Sequence, residues 1–84
     1  MMLKQYRDQL DQIDDKMKEL FIKRMEIVKK IGSLKKENKL PVFDAARESE
    51  MLEKHRASFS DLVLWNYYER FLKNMIEIAK EMQL

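Results

Sequence analysis

The chain has 84 residues, about the size of one small domain, and with one Gly, one Pro and no Cys it has little material for turns and none for disulfides or thiolate metal sites. Hydrophobic residues make up 45% and charged residues 38% of the chain, a mixture typical of amphipathic helices, which argues against a disordered, collagen-like or membrane-spanning protein. The 17 basic and 15 acidic residues give a net charge of +2 and alternate along the chain, so no charged block indicates binding to nucleic acid or to a membrane surface.

The N-terminus lacks the apolar core of a secretion signal, and the longest purely aliphatic or aromatic run, 62–65, is too short to cross a bilayer. We therefore expect a cytoplasmic protein. A chain this short also buries only about 60% of the surface that its unfolded state exposes, which favours an oligomer.

The first segment, 3–37, has the heptad pattern of one long amphipathic helix, because its apolar residues recur at spacings of three and four wherever they are consecutive. The members of this seam are Leu3, Tyr6, Leu10, Ile13, Met17, Leu20, Ile27, Ile31 and Leu34. A helix of that length measures about 50 Å, longer than a compact monomer of this size, so we expect it to be covered by another element or chain. Gly32 interrupts good helix formers, which indicates either close packing or a helix bend.

Two shorter helices are predicted to follow. The segment 38–43 contains the Pro and forms the first connection, after which Asp44 can cap a helix that continues to about Ala57. A second break follows, where Ser58 or Ser60 could cap a last helix that runs to the C-terminus. The predicted inward face of that helix comprises Leu62, Trp65, Tyr68, Leu72, Met75, Ile76, Ala79 and Met82. The predicted fold is therefore all-α, with a long, a short and a medium helix in one domain.

A cation interrupts the seam of the first helix. The seam position that repeats by sevens from Leu3 has Arg24 as its fourth member. Arg24 either pairs with a carboxylate across a coiled-coil interface or belongs to an anion site. Lys35 lies three helical turns further on and about 16 Å away on the same face, so the two long side chains can converge on one small dianion. Arg7 lies about 25 Å before Arg24 and is turned roughly 100° from it, so these two cannot share a small ligand within one straight helix.

The other polar candidates are weaker on their own. Asp44, Arg47 and Glu48 open the second helix, where an acid is favoured by the helix dipole and needs no function beyond capping. Gln83 falls on a polar edge of the last helix, as a solvated residue would. His55 is the single His, which supports neither a zinc site nor a nucleophilic triad, and no glycine-rich phosphate loop occurs, so no metal or cofactor is indicated.

Several motifs, each modest alone, follow one another along the chain in a specific order and spacing. They are Leu3-x-x-Tyr6-Arg7-x-x-Leu10-Asp11-x-Ile13-Asp14, Arg24, Ile31-Gly32-x-Leu34-Lys35, Leu40-Pro41-Val42-Phe43-Asp44-x-x-Arg47-Glu48, and Ile76-Glu77 followed by Gln83. Together they closely resemble the all-helical (AroQ-type) chorismate mutases, most of all the short bacterial class, and the match weakens around residues 55–62. The resemblance implies one mutase domain over 1–84 in an intertwined homodimer, with two active sites that convert chorismate to prephenate in phenylalanine and tyrosine biosynthesis.

The resemblance also implies roles for the cations. Arg24 and the partner subunit's Arg7 would clamp the two carboxylates of the substrate. Lys35 and Gln83 would donate hydrogen bonds to the ether oxygen of the breaking bond. These residue types suit a [3,3]-sigmatropic rearrangement, which needs no nucleophile, no proton transfer and no redox centre, but does need shape and positive charge.

The resemblance assigns the remaining contacts to the second and third helices. Glu48, with the backbone near Asp44, would hold the ring hydroxyl of the substrate, and Arg47 would help to order that corner. Ala79 stands where some members carry a Ser whose hydroxyl reaches a substrate carboxylate, so we expect that contact to be absent here.

Two alternative interpretations stay open at this point. An isochorismate pyruvate-lyase on the same fold would use a similar dicarboxylate clamp. A non-enzymatic helical dimerisation module would use Arg24 only as a polar residue that sets the register of the seam.

Overall fold

Three α-helices account for most of the chain. The computed structural model describes residues 2–84, so the first residue of the predicted 1–84 domain lies outside it, and its helices are α1 (Met2–Glu37), α2 (Ala45–Ser58) and α3 (Leu62–Gln83). This confirms the all-α prediction with a long N-terminal helix, and the predicted helix ends differ from the observed ones by about one residue. Within the described residues, none of the helices is long and apolar enough to cross a membrane.

The two shorter helices both begin at an aspartate. The Asp44 carboxylate accepts a hydrogen bond of 3.0 Å from the backbone N–H of Arg47, which confirms the predicted cap of α2. Asp61 caps α3, because its carboxylate accepts from two backbone N–H groups of the first turn at 2.9 and 3.1 Å. The prediction of Ser58 or Ser60 as this cap is wrong, since one carboxylate directly before the helix satisfies two of its unpaired donors.

The end of α1 is a left-handed turn built on Lys39, whose φ is 55°. The backbone N–H of Lys39 donates to the carbonyl of Lys36 at 3.2 Å, and that of Leu40 donates to the carbonyl of Lys35 at 2.8 Å. This pair of bonds is the Schellman pattern, here with a Lys in the position that Gly usually occupies. The turn reverses the chain, so that the connection after it lies against the last turns of α1.

The apolar core lies where α3 packs against the other two helices. Trp65, Leu72 and Ile76 form its buried cluster, and five half-buried side chains pack around them: Met51, Leu52, Phe59, Tyr68 and Met75. The predicted inward face of α3 is confirmed at its centre, where Ala79 is also buried. It is wrong at its two ends, because Leu62 and Met82 remain 58% and 46% exposed in the single chain.

The seam of α1 is exposed in the single chain. Each of its nine apolar residues, from Leu3 to Leu34, is at least 42% exposed. The molecule measures 57 × 26 × 16 Å and has a radius of gyration of 16.2 Å, whereas a compact chain of this length would have one of about 12 Å. One chain therefore does not cover its own longest helix.

Candidate active site

One cavity of about 230 Å³ opens between the second half of α1, the start of α2 and the last turns of α3. It brings together seven of the eight predicted site residues, namely Arg24, Lys35, Asp44, Arg47, Glu48, Ala79 and Gln83. The eighth, Arg7, is exposed near the far end of α1 and does not line this cavity. Residues that are far apart in sequence thus converge on one site, and Arg7 of the same chain stays apart from them.

The apolar wall of the cavity explains why the side chain of Arg24 projects inward. Val28, Ile76 and Ala79 are at most 8% exposed and line the cavity from α1 and α3. Because helix positions three and four apart share a face, Val28 lies on the same side of α1 as Arg24 and Ile31. The packing that buries Val28 therefore directs Arg24 inward.

Lys35 connects the three sides of the cavity. Its Nζ donates to the backbone carbonyl of Val42 at 2.9 Å and to Gln83 Oε1 at 2.8 Å. The Gln83 Nε2 in turn donates to the carbonyl of Ala79 at 3.1 Å, one turn earlier in α3. An ammonium has three N–H donors, and these two bonds leave one of them to face the cavity.

Gly32 allows α3 to come close enough for the bond between Lys35 and Gln83. A Cβ atom on Gly32 would lie 3.1 Å from Gln83 Cα and 3.3 Å from Gln83 Cγ, tighter than ordinary van der Waals contact. Gly32 is buried and lies within the unbroken helix α1. Of the two interpretations that the sequence left open, close packing therefore explains this glycine.

Two buried polar atoms at this site have no hydrogen-bond partner among residues 2–84. They are Arg24 Nη1, a donor, and Glu48 Oε2, an acceptor. A buried polar atom without a partner costs about 1–3 kcal/mol, so native proteins rarely keep one without a reason. A ligand that accepts from Arg24 and donates to Glu48 would satisfy both.

Lys80 is a cavity residue that the sequence analysis missed. Its Nζ lies 2.8 Å from Glu77 Oε1, 3.4 Å from Glu48 Oε1 and 4.8 Å from the centre of the Phe43 ring. The hydrogen bond to Glu77 raises the pKa of Lys80 most, the loss of solvent around it lowers the pKa, and Glu48 raises it further, with a net shift upward. Its spacing from Ile76 and Gln83 places it on the same face of α3 as these two residues, and this periodicity could have indicated that it lines the cavity.

The electrostatics of the cavity favour an anion. Four cationic side chains line it, from Arg24, Lys35, Arg47 and Lys80, against two carboxylates, from Asp44 and Glu48. Lysine and arginine side chains are natural partners for carboxylates, and a planar guanidinium can bind one in a bidentate manner. No cluster of His, Cys, Asp and Glu with the makings of a metal site occurs in the part of the chain that the structure describes. The arrangement offers cationic donors to an anion and a carboxylate acceptor to a hydroxyl.

Known proteins share sequence similarity with this chain. A family model described as chorismate mutase type II matches residues 6–84. The T-protein of Haemophilus influenzae is 37% identical over 54 residues, which are 64% of this chain and 14% of that protein. The T-protein of Enterobacter agglomerans is 38% identical over 50 residues, which are 60% of this chain and 13% of that protein. The matches thus span about one seventh of the length of these curated relatives.

A solved structure shows the same fold over the whole chain. It is a conserved hypothetical protein from Pyrococcus furiosus, which is 31% identical, has a TM-score of 0.83, and is matched over 97% of its own chain and 100% of this one. The long first helix and the two shorter helices are therefore an arrangement that this chain shares with a solved protein.

The close approach at Gly32 can be tested with Gly32→Ala. We expect the added Cβ to displace Gln83 by a few tenths of an ångström and to weaken its bond to Lys35. The free energy of unfolding should change by less than about 1 kcal/mol, because the higher helix propensity of Ala offsets the repacking. The side-chain amide signals of Gln83 in an NMR spectrum report the displacement, and Ser33→Ala, at the exposed neighbouring position, is the control. Amide signals that stay at their wild-type positions in Gly32→Ala would show that the contact does not hold Gln83.

Proposed function

The chain belongs to the chorismate mutase type II family, an isomerase family whose model matches residues 6–84, and we propose that its 84 residues form one mutase domain that converts chorismate to prephenate. The observation that carries this proposal is one cavity, lined by Lys35, Arg24 and Glu48. A buried donor of Arg24 and a buried acceptor of Glu48 have no partners there among residues 2–84. Chorismate offers groups for each, because it carries two carboxylates, a ring hydroxyl and an ether oxygen.

The reaction sets the demands on the site. The carbon–oxygen bond of the enolpyruvyl ether breaks while a carbon–carbon bond forms within the same molecule, and no proton or electron leaves it. Catalysis then consists of holding the flexible substrate in its compact reactive conformer and of stabilising the charge that shifts onto the ether oxygen. Positive side chains on rigid helices meet both demands.

Arg24 is proposed to bind a carboxylate of the substrate. Its Nη1 is buried at the cavity without a partner, so a carboxylate oxygen there removes an unsatisfied donor and gains a charge-assisted hydrogen bond. Because Arg24 projects from the buried face of α1 beside Val28, its side chain lines the cavity before the substrate arrives. Binding energy is thereby converted into orientation.

Lys35 and Gln83 are proposed to act on the ether oxygen. The N–H of Lys35 that faces the cavity and the second N–H of the Gln83 amide are neighbours, since the two side chains are hydrogen-bonded at 2.8 Å. As the ether bond breaks, negative charge grows on its oxygen, and fixed donors stabilise that state more than they stabilise the substrate. The bond from Lys35 to the Val42 carbonyl keeps the ammonium from turning away.

The start of α2 is proposed to recognise the ring hydroxyl. Glu48 Oε2 is buried without a partner and can accept a hydrogen bond from that hydroxyl. Asp44 and Arg47 flank it at the cavity edge, where both are exposed in the single chain. Ala79 supplies a buried wall with no hydrogen-bonding group, so one carboxylate contact of some relatives has no counterpart here.

We also propose that the protein is a homodimer in which each active site contains residues of both subunits. If two α1 helices run antiparallel with Arg7 of one opposite Arg24 of the other, the two-fold axis crosses α1 between residues 15 and 16, midway between the two positions. Residues 2–29 of the two helices then overlap, and this stretch carries most of the exposed seam. The same pairing would cover the seam and bring the partner subunit's Arg7 to each cavity, where it would bind the second carboxylate.

The activity itself is tested by the loss of chorismate ultraviolet absorbance on adding purified protein, with prephenate identified as the product. Isochorismate is assayed in parallel, since formation of pyruvate and salicylate would favour the lyase.

We expect Lys35→Ala and Arg24→Ala each to lower kcat/KM by about 100-fold or more, because each removes a group that stabilises the transition state or orients the substrate. Helix content should stay nearly intact, since the buried cluster of α3 lies elsewhere.

The exposed neighbour Lys36, changed to Ala, is the matched control for both substitutions. Wild-type rates in Lys35→Ala and Arg24→Ala would remove these two residues from the active site.

Gln83→Glu tests the donor role of Gln83 through pH. A carboxyl group donates a hydrogen bond only when it is protonated. Lys35 Nζ lies 2.8 Å from the atom that the new carboxyl oxygen would replace, so the cation should depress the carboxyl pKa below the usual value of about 4.3. Activity should therefore rise only as pH falls through that depressed pKa, and should be lost as pH increases.

Gln83→Met, which cannot donate at any pH, serves as the control and should stay inactive throughout. A pH profile of Gln83→Glu that is flat relative to the wild type would exclude Gln83 from the ether-oxygen role.

Mixing two inactive variants tests the shared site. Arg7→Ala and Arg24→Ala are unfolded together and refolded, so that random pairing makes about half of the dimers heterodimers. Each heterodimer has one site with both arginines and one site with neither, so about one quarter of all sites should work. Each variant refolded separately should stay inactive. A mixture whose heterodimers are confirmed by mass but which stays inactive would show that Arg7 does not act across the interface.

A further inference from the structure

Lys80 has no role in the proposed mechanism, although it pairs with Glu48, which has one. Lys80 and Glu48 have side chains that are each 24% exposed, and their charged groups lie 3.4 Å apart, across the packing of α3 against α2. The second carboxylate, from Glu77, is 65% exposed and holds Lys80 from the solvent side at 2.8 Å. The ring of Phe43, on the connection between α1 and α2, lies 4.8 Å from the ammonium. The ammonium of Lys80 is therefore fixed from three directions.

In this arrangement the two oxygens of the Glu48 carboxylate have different surroundings. Oε1 faces Lys80, while Oε2 is buried and has no partner among the described residues. A carboxylate that is bound at one oxygen has its second oxygen held in a defined position, and Glu48 is one of the residues that line the cavity. Preorganised acceptors of this kind bind a hydroxyl with less loss of side-chain entropy than a free carboxylate does.

The charge of Glu48 is the second reason for a cation at this position. A site for a dicarboxylate that also contains a carboxylate would repel part of its own substrate. Lys80 offsets that negative charge locally, and it does so with its ammonium already engaged by Glu48 and Glu77 and not by the substrate.

We propose that Lys80 is a positioning residue, which holds Glu48 for the ring hydroxyl of the substrate and offsets part of its negative charge toward the substrate carboxylates. The proposal rests on the proposed mutase function. Since the ring hydroxyl takes no part in the bonds that break and form, its recognition contributes equally to the substrate and the transition state, so a loss of Lys80 appears in KM more than in kcat.

The test begins with steady-state kinetics of the full protein on chorismate. Lys80→Met keeps the length of the side chain and removes the charge, and we expect KM to rise about tenfold while kcat stays within about threefold of the wild type. Lys80→Arg restores the cation and should return KM to within about threefold. Lys73→Met is the matched control, since Lys73 makes an exposed pair with Glu69 on the same helix at 3.5 Å, away from the cavity, and its KM should not change.

A double-mutant cycle separates positioning from direct contact or a general loss of structure. Glu48→Gln alone should raise KM, and adding Lys80→Met to it should raise KM no further, because the residue through which Lys80 acts has already been changed. Circular dichroism of each variant reports folding, and if Lys80→Met loses helix content, the same cycle is run with Lys80→Gln. Effects that multiply in the double variant, or an unchanged KM in the single variant, overturn the positioning role while the mutase activity stands. Wild-type protein that leaves chorismate unchanged overturns the proposed function, and this role with it.

Discussion

The cavity depends on the ammonium group of Lys35 and on its contact with two other parts of the chain. It joins α1 to the Val42 carbonyl of the first connection and to Gln83 in the last turn of α3. Gly32, one turn away on α1, sets the distance of that last turn, because a larger residue would meet the Gln83 backbone at 3.1 Å. The apolar cluster of α3 holds α2 against α3, while this small polar contact between α1 and α3 sets the shape of the site.

The site retains polar atoms in places where apolar ones would be more stable. A donor of Arg24 and an acceptor of Glu48 are buried without partners, and each such atom costs about 1–3 kcal/mol of folding free energy. A chain with a small core can tolerate this only at a few positions. Their location in one cavity, on two different helices, is the physical mark of a binding site, since a ligand can return this free energy when it binds.

Local patterns in the sequence predicted much of the fold. The heptad spacing gave the long first helix, and the carboxylate of Asp44 before good helix formers gave the start of α2. The cap of α3 was predicted less well, because Ser58, Ser60 and Asp61 are all suitable residue types, and only the backbone path decides which of them reaches the free N–H groups. The exposed ends of the inward face of α3 differ from the prediction for a related reason, since periodicity locates a face but not which of its residues another helix covers.

The candidate site was predictable where a residue broke a pattern. Arg24 interrupts an apolar seam, and that spacing alone indicates a cation on a face that is otherwise apolar. Lys80 breaks no pattern, since lysine is common on helix surfaces, and its place between Glu48 and Glu77 depends on the packing of α3 against α2. Contacts between distant segments of this kind cannot be read from spacing along one helix.

The position of Gln83 has a consequence for how the cavity loses its shape on warming. Gln83 is the last residue of α3, and the final turn of a helix has fewer backbone hydrogen bonds than its centre, so it opens at a lower free energy than the rest of the fold. The contacts that oppose this fraying are the Gln83 side-chain bonds to Lys35 and Ala79 and the packing on Gly32. Warming can therefore release this turn while the three helices persist, so that opening of the cavity and global unfolding become two separate transitions, the first of them visible as early amide exchange at the end of α3.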